Sequence, residues 1–265
     1  MGIRRKHATA AALAAALFGA GLRAQAPTKF EVASVRPSKP GETQATVNWV
    51  GGVTMINVPL RAIVQFAYGI NTPSRIMGHP GWTNVERFDI QAKAPEGLTG
   101  VEQMRPMLQT LLADRFKMVA RSEKRELQSY VLVKAKPNAP LGPNLKPSKA
   151  ICAGRGAAPN PDAVACGPRP GGPGRILLVG IPMAQLAPLL SVVVQQPVVD
   201  RTGMDGLYDI ELTFTPEAPI GSDLANPGAP SLFTALQEQL GLKLDAERAL
   251  VDVLVIEKIE RPTEN

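Results

Sequence analysis

With 265 residues, 45% of them hydrophobic and 5% aromatic, the chain is long enough for one large domain or two small ones around a real core. Its 29 basic residues against 23 acidic ones give a net charge of +6 at pH 7, but Arg4, Arg5, Lys6 and Arg23 belong to an N-terminal segment that reads as a leader. Taking those four from 29 leaves 25 basic residues against 23 acidic ones, with no dense Lys/Arg run, which argues against nucleic acid as a partner.

Met1 to His7 form a basic head, Ala8 to Leu22 an apolar run, and Ala24-Gln25-Ala26 a small-residue cleavage site. Together these are the three parts of a secretory signal, with cleavage expected after Ala26. The apolar run is shorter than the roughly 20 residues needed to cross a bilayer, and nothing downstream approaches that length. The expectation is an exported protein, periplasmic or extracellular, with no stable membrane span once residues 1–26 are removed.

The remainder repeats itself. Val53 to Pro59 followed by Leu60, Ile63, Val64 and Ala67 reads as a short strand, a proline and an amphipathic helix. Arg175 to Pro182 followed by Met183, Leu186, Ala187 and Leu190 reads the same way, although Pro188 is expected to kink or shorten that helix. Downstream, Phe88-Asp89-Ile90 matches Tyr208-Asp209-Ile210, each opening an alternating strand. A second helix follows in each half, one on Met104, Met107, Leu108, Leu111 and Leu112, the other on Leu232, Leu236 and Leu240. Thr99-x-x-Glu102 is a possible capping box for the first, Ser231 is an N-cap for the second, and Gly241 is placed to end it. Strand-rich runs close both halves, 116–136 and 242–260. The fold class is therefore α+β, a tandem duplication of roughly a β-α-β-α-β-β unit with helices packed on a mainly antiparallel sheet. The boundaries run 27–137 for the first repeat, 138–174 for a Pro/Gly-rich linker loop, and 175–265 for the second.

Cys152 and Cys166 are the only cysteines, both within the central loop. In an exported chain a disulfide is favoured over free or metal-binding thiols, since no histidine lies near enough to complete a metal site. His79 is the only histidine after the leader, in the turn-rich Ile76-Met-Gly-His-Pro-Gly-Trp82, so no multi-histidine metal site is available. No phosphate loop, nucleophile elbow or dinucleotide fingerprint is present, and no cofactor is expected. Asp89 and Asp209 recur at equivalent strand starts. They are candidates for a carboxylate pair or, more simply, for side chains that satisfy a neighbouring turn. Asp200-Arg201-Thr-Gly203 reads as a tight turn able to line a ligand site. The weak ligand-site candidates are thus His79, Asp89, Asp200, Arg201 and Asp209.

Several phrases occur together in order: Phe30-Glu-Val-Ala-Ser-Val-Arg-Pro37, Asn57-Val-Pro-Leu60, Met107 to Phe116, Pro197-Val-Val-Asp-Arg-Thr-Gly203, and Val253-Leu-Val-Ile-Glu-Lys-Ile-Glu-Arg-Pro262. In these the chain resembles the acidobacterial soil-associated exported family, a domain of unknown function with many paralogues. The resemblance implies a domain that follows a signal peptide and is also found fused to membrane metallopeptidases of the antibiotic-sensor type. It assigns no catalytic residue. The expected function is a non-catalytic binding or sensing module of the cell envelope, whose partner is an envelope protein or small ligand. The alternatives are an enzyme acting on envelope polymers through carboxylates, and a structural envelope protein.

Overall fold

The computed structural model describes residues 29–39, 41, 43–98, 100–138, 140–152, 162–216 and 228–262. The leader, with Ala24 and Ala26, lies outside the described residues, as does Thr99 of the expected capping box. Strands β1 (Val32–Pro37), β2 (Thr46–Asn48) and β3 (Gly52–Pro59) lead into helix α1 (Leu60–Tyr68). After β4 (Ile76–Met77), the short α2 (Trp82–Val85) and β5 (Arg87–Lys93) come α3 (Val101–Phe116) and the long β6 (Val119–Lys134). The chain continues through β7 (Leu145–Pro147), β8 (Ile151–Cys152), β9 (Ala163–Val164), β10 (Gly167–Arg169) and β11 (Arg175–Ile181). It closes with α4 (Leu186–Val194), β12 (Val198–Asp200), β13 (Tyr208–Thr213), α5 (Leu232–Ala235) with a π turn over Leu236–Leu240, and β14 (Leu242–Lys258).

The first sheet is antiparallel in the order β1-β5-β3-β2. Its alternation does the sorting. Phe88, Ile90 and Ala92 of β5 face the helices, while Asp89, Gln91 and Lys93 face outward. Helices α1 and α3 cover the inner face with Leu60, Ile63, Met104, Met107, Leu108 and Leu112, all essentially inaccessible. Phe88 and Phe116 meet edge to face at 5.1 Å, a contact worth about 1 kcal/mol beyond the area it buries. The N-cap of α3 is Gly100, one residue beyond the expected Thr99, and its amide donates to Gln103 Oε1 at 3.3 Å.

A second antiparallel sheet has the order β7-β13-β11-β10, the same order of counterparts as the first. Its outer strands come from the segment expected to be a linker loop. That expectation is corrected: β7 pairs Leu145–Pro147 with β13, and β10 pairs Gly167–Arg169 with β11. Three-residue strands show no readable alternation, and they pair through backbone groups whatever their side chains are. Pro188 also finds a place without a kink. A 3-10 turn over Met183–Gln185 precedes α4, so Pro188 falls in the first helical turn, where its missing N–H would have had no intrahelical partner.

The two sheets are tied by a third, in the order β12-β6-β14-β4. Here the expected closing pair of strands in each half is corrected to one uninterrupted strand per half. β6 and β14 pair antiparallel with each other from Leu242↔Lys134 to Lys258↔Val119. Each then accepts a short parallel strand from the other half, β12 on β6 through Val198↔Tyr130 and β4 on β14 through Leu254↔Ile76. Consequently Leu254 and Ile256 near the C-terminus complete the first core, while Leu132 of β6 enters the second. Among the described residues no helix is long and apolar enough to cross a membrane.

Candidate functional site

Both sheets bend at one residue before their first helix. Register shifts between Met55 and Val58 on β3, and between Leu178 and Ile181 on β11. The residues responsible, Asn57 and Gly180, have φ of 56° and 61°. Such a bulge strands an amide that no ladder partner reaches, and each is met by an aspartate on the adjacent strand. The Asn57 amide donates to Asp89 Oδ1 at 3.0 Å and the Gly180 amide to Asp209 Oδ1 at 2.9 Å. The recurring aspartate is thus a bulge acceptor in both halves.

The two carboxylates differ in what else holds them. Asp89, 7% exposed, also accepts from Ser38 Oγ at 2.7 Å and pairs with Arg36 Nε at 3.6 Å. Burial disfavours its charge, but Ser38, the Asn57 amide and Arg36 together outweigh that and hold its carboxyl below the usual carboxylate range. On the second sheet Lys146 stands opposite Asp209 as Arg36 stands opposite Asp89. Ser148, at the place of Ser38, accepts from the Ala150 amide at 3.1 Å instead. Among the described residues Asp209 therefore keeps one bond, and it lines a hollow of ≈ 320 Å³ on the outer face of the sheet. Leu177 and Val179 floor that hollow, with Lys146, Arg169 and Glu211 around it. Glu211 is held by Arg175 at 2.5 Å, and Arg169 donates to the Ala165 carbonyl at 2.5 Å.

Cys152 and Cys166 are joined, with 5.2 Å between their Cα atoms. The disulfide lies over the second bulge: a Cβ on Gly180 would stand 2.5 Å from Cys166 Sγ and 3.0 Å from Cys152 Sγ. In the first half the same loop-over-bulge contact is made by Asn57 Nδ2, which donates to the Gln44 carbonyl at 3.3 Å.

The other candidates are not brought to this hollow. His79 Nδ1 shares a 2.8 Å hydrogen bond with Thr83 Oγ1 ahead of β5. Asp200 Oδ1 accepts from the Thr202 amide and hydroxyl at 2.9 and 2.8 Å, closing the expected turn. Arg201 reaches Glu247 of β14 at 3.0 and 3.1 Å. Asp200 borders a separate groove of ≈ 350 Å³ where the halves meet. Across that groove Asn71 donates to the Pro188 carbonyl at 3.2 Å. Arg75, its Nε on the Asp252 carbonyl at 2.7 Å, is pushed below its ordinary pKa by burial, against the pull of Asp252. Among the described residues no group of three His, Cys, Asp or Glu side chains is placed to hold a metal ion. Lys146, Arg169, Leu177 and Val179 were missed in the sequence, because the strands that carry the two cations were read as loop.

The family profile described as a protein of unknown function (DUF3738) matches residues 61–259. The chain belongs to this DUF3738 family. The match spans α1 through β14, and so takes in both bulge aspartates and the hollow. Neither a curated protein nor a solved structure matches the DUF3738 chain.

Proposed function

We propose that this DUF3738 chain is an exported binding module of the cell envelope, built by tandem duplication, whose ligand rests on the outer face of the second sheet at Asp209. The observation that carries the reading is the contrast between the two aspartates: Asp89 is held by Ser38, Arg36 and an amide, whereas among the described residues Asp209 has one bond and borders a hollow. Support for duplication comes from the matched sheet orders, the paired bulges and the reciprocal strands β4 and β12. Export is supported by the leader sequence and by a disulfide, which persists in oxidising compartments. Binding is favoured over bond-making because the acidic candidates stand on three different sheets, with Asp89, Asp209 and Asp200 each engaged by a local amide. The residues around the hollow suit an envelope component with apolar surface, a cationic group for Asp209 and an anionic group for Lys146 or Arg169.

The test is affinity capture from solubilised envelope by the immobilised mature chain, compared with Lys146→Glu and with Gln91→Lys on the outer face of the first sheet. The reading expects a component retained by wild type and Q91K and lost, by about tenfold or more, with K146E. Equal retention by all three, or turnover of an envelope polymer by the mature chain, would overturn it.

A further inference from the structure

We infer that the chain carries a second ligand site, on the helix side of the second sheet, which takes a compact aromatic molecule bearing one hydrogen-bonding group. It lies between the C-terminal end of α4 and the start of α5. The hollow has a volume of ≈ 280 Å³ and includes Tyr130, Val193, Gln196, Phe214, Leu232 and Phe233 in its lining. Phe214 points to the inner face of the sheet and Asp209 to the outer face, so this site and the Asp209 hollow are on opposite sides of one layer.

The first half shows why a hollow exists here. Helix α3 ends at Lys117 and α5 with its π turn ends at Gly241, both residues left-handed caps. Counted back from those caps, Leu232 stands where Leu108 does, so the turns of α3 from Val101 to Met107 have no helical counterpart among the described residues. In the first half Met104 and Met107 of those turns are completely buried. They share the first core with Ala94 and Leu254, the positions equivalent to Phe214 and Tyr130. Among the described residues the second half carries larger rings around the same place. Phe214 stands for Ala94, Tyr130 for Leu254 and Phe233 for Gln109.

The lining states the chemistry of the guest. Tyr130 and Phe233 already meet edge to face at 5.5 Å, the arrangement aromatic rings adopt with one another. Phe233 at 39% and Val193 at 37% exposure keep part of their apolar surface open to the hollow. Tyr130 Oη and the Gln196 side chain make no hydrogen bond to the described residues, and they stand ready for one polar group. A concave, mainly apolar space with a few polar atoms at its margin is how small-molecule sites are built, and this volume suits one ring system.

The probe is indole, added to the mature, disulfide-bonded chain and followed by amide chemical shifts and by ligand-observed saturation transfer. Binding at about 1 mM or tighter is expected, with shifts at Val193, Thr215 and Phe233. Phe233→Ala weakens it at least about fivefold, and Val193→Phe, which fills the hollow, abolishes it with the thermal midpoint held within about 2 °C. Lys146→Glu leaves it unchanged, which separates this site from the one at Asp209. No binding up to about 10 mM, shifts elsewhere, or equal binding by V193F would overturn the inference.

Discussion

At Asn57 and at Gly180 the chain departs from strand geometry in the same way, and in both places an aspartate one strand away accepts the freed amide. Around the first bulge the local groups are used up. The asparagine side chain fastens the overlying loop at Gln44, and the aspartate is closed off by Ser38 and Arg36. Around the second, a disulfide takes the place of the asparagine side chain, and the serine and cation next to Asp209 do not bind it. One backbone frame thus supports a closed site and an open one. The difference lies in a few side chains: once fastening is done covalently, Asp209, Lys146 and the apolar floor are left facing solvent.

Substitutions can break that comparison, beginning with the most severe. Gly180→Val places a side chain in the space held by both sulfurs and a β-branched residue at positive φ, so about 4 kcal/mol of stability is lost and the disulfide forms incompletely. Denaturant midpoints and thiol titration report the two effects. Replacing Cys152 and Cys166 by serine removes a cross-link of sequence separation 14; about 3 kcal/mol is expected from chain entropy, with faster amide exchange at Gly180 than at Asn57.

Asp89→Asn comes next, at about 2 kcal/mol near neutral pH, because a charged acceptor serving Ser38, Arg36 and a buried amide becomes neutral. Its pH dependence has a definite sign. The folded carboxyl lies below its unfolded value, so the stabilisation is present above the ordinary carboxylate pKa of about 4 and is lost as pH falls through the lower folded value. Wild type and D89N should differ most at pH 6 and converge towards pH 2; a gap that widens on acidification contradicts the assignment. The smallest effect is expected for Asp209→Asn, under about 1 kcal/mol, since a single amide bond is retained by the amide oxygen. A loss as large as that of D89N would mean that the two sites are not different in kind.

Much of the frame was legible. Strand, proline and helix at Pro59 and Pro182, the recurring aspartates and the helix end at Gly241 all follow from local chemistry, and all fall within the α+β architecture observed. The cysteine pair was legible too: Cys152 and Cys166 are the only cysteines in the sequence, no histidine stands near them to complete a metal site, and they are joined. The first long strand was misread as a pair although the signal was there, since no Gly, Pro, Asn or Asp interrupts 117–136; in the second, Asp245 and Asp252 stand within the strand and offer a false turn signal. The edge strands at Leu145–Pro147 and Gly167–Arg169 gave no signal, because Gly and Pro dominate their surroundings and three residues cannot show a period. Missing them hid Lys146 and Arg169. It also hid which aspartate is closed, since that depends on side chains from the neighbouring strand, which only the register reveals.

What sets the second bulge site apart is that Asp209 borders a hollow. The most direct test is a map of amide chemical-shift changes on the mature chain as the captured envelope component is added. Changes at Leu177, Val179 and Asp209, with Asp89, Gln91 and Thr54 unmoved, are the predicted result. Changes centred on the first sheet, or spread evenly over both, would contradict it.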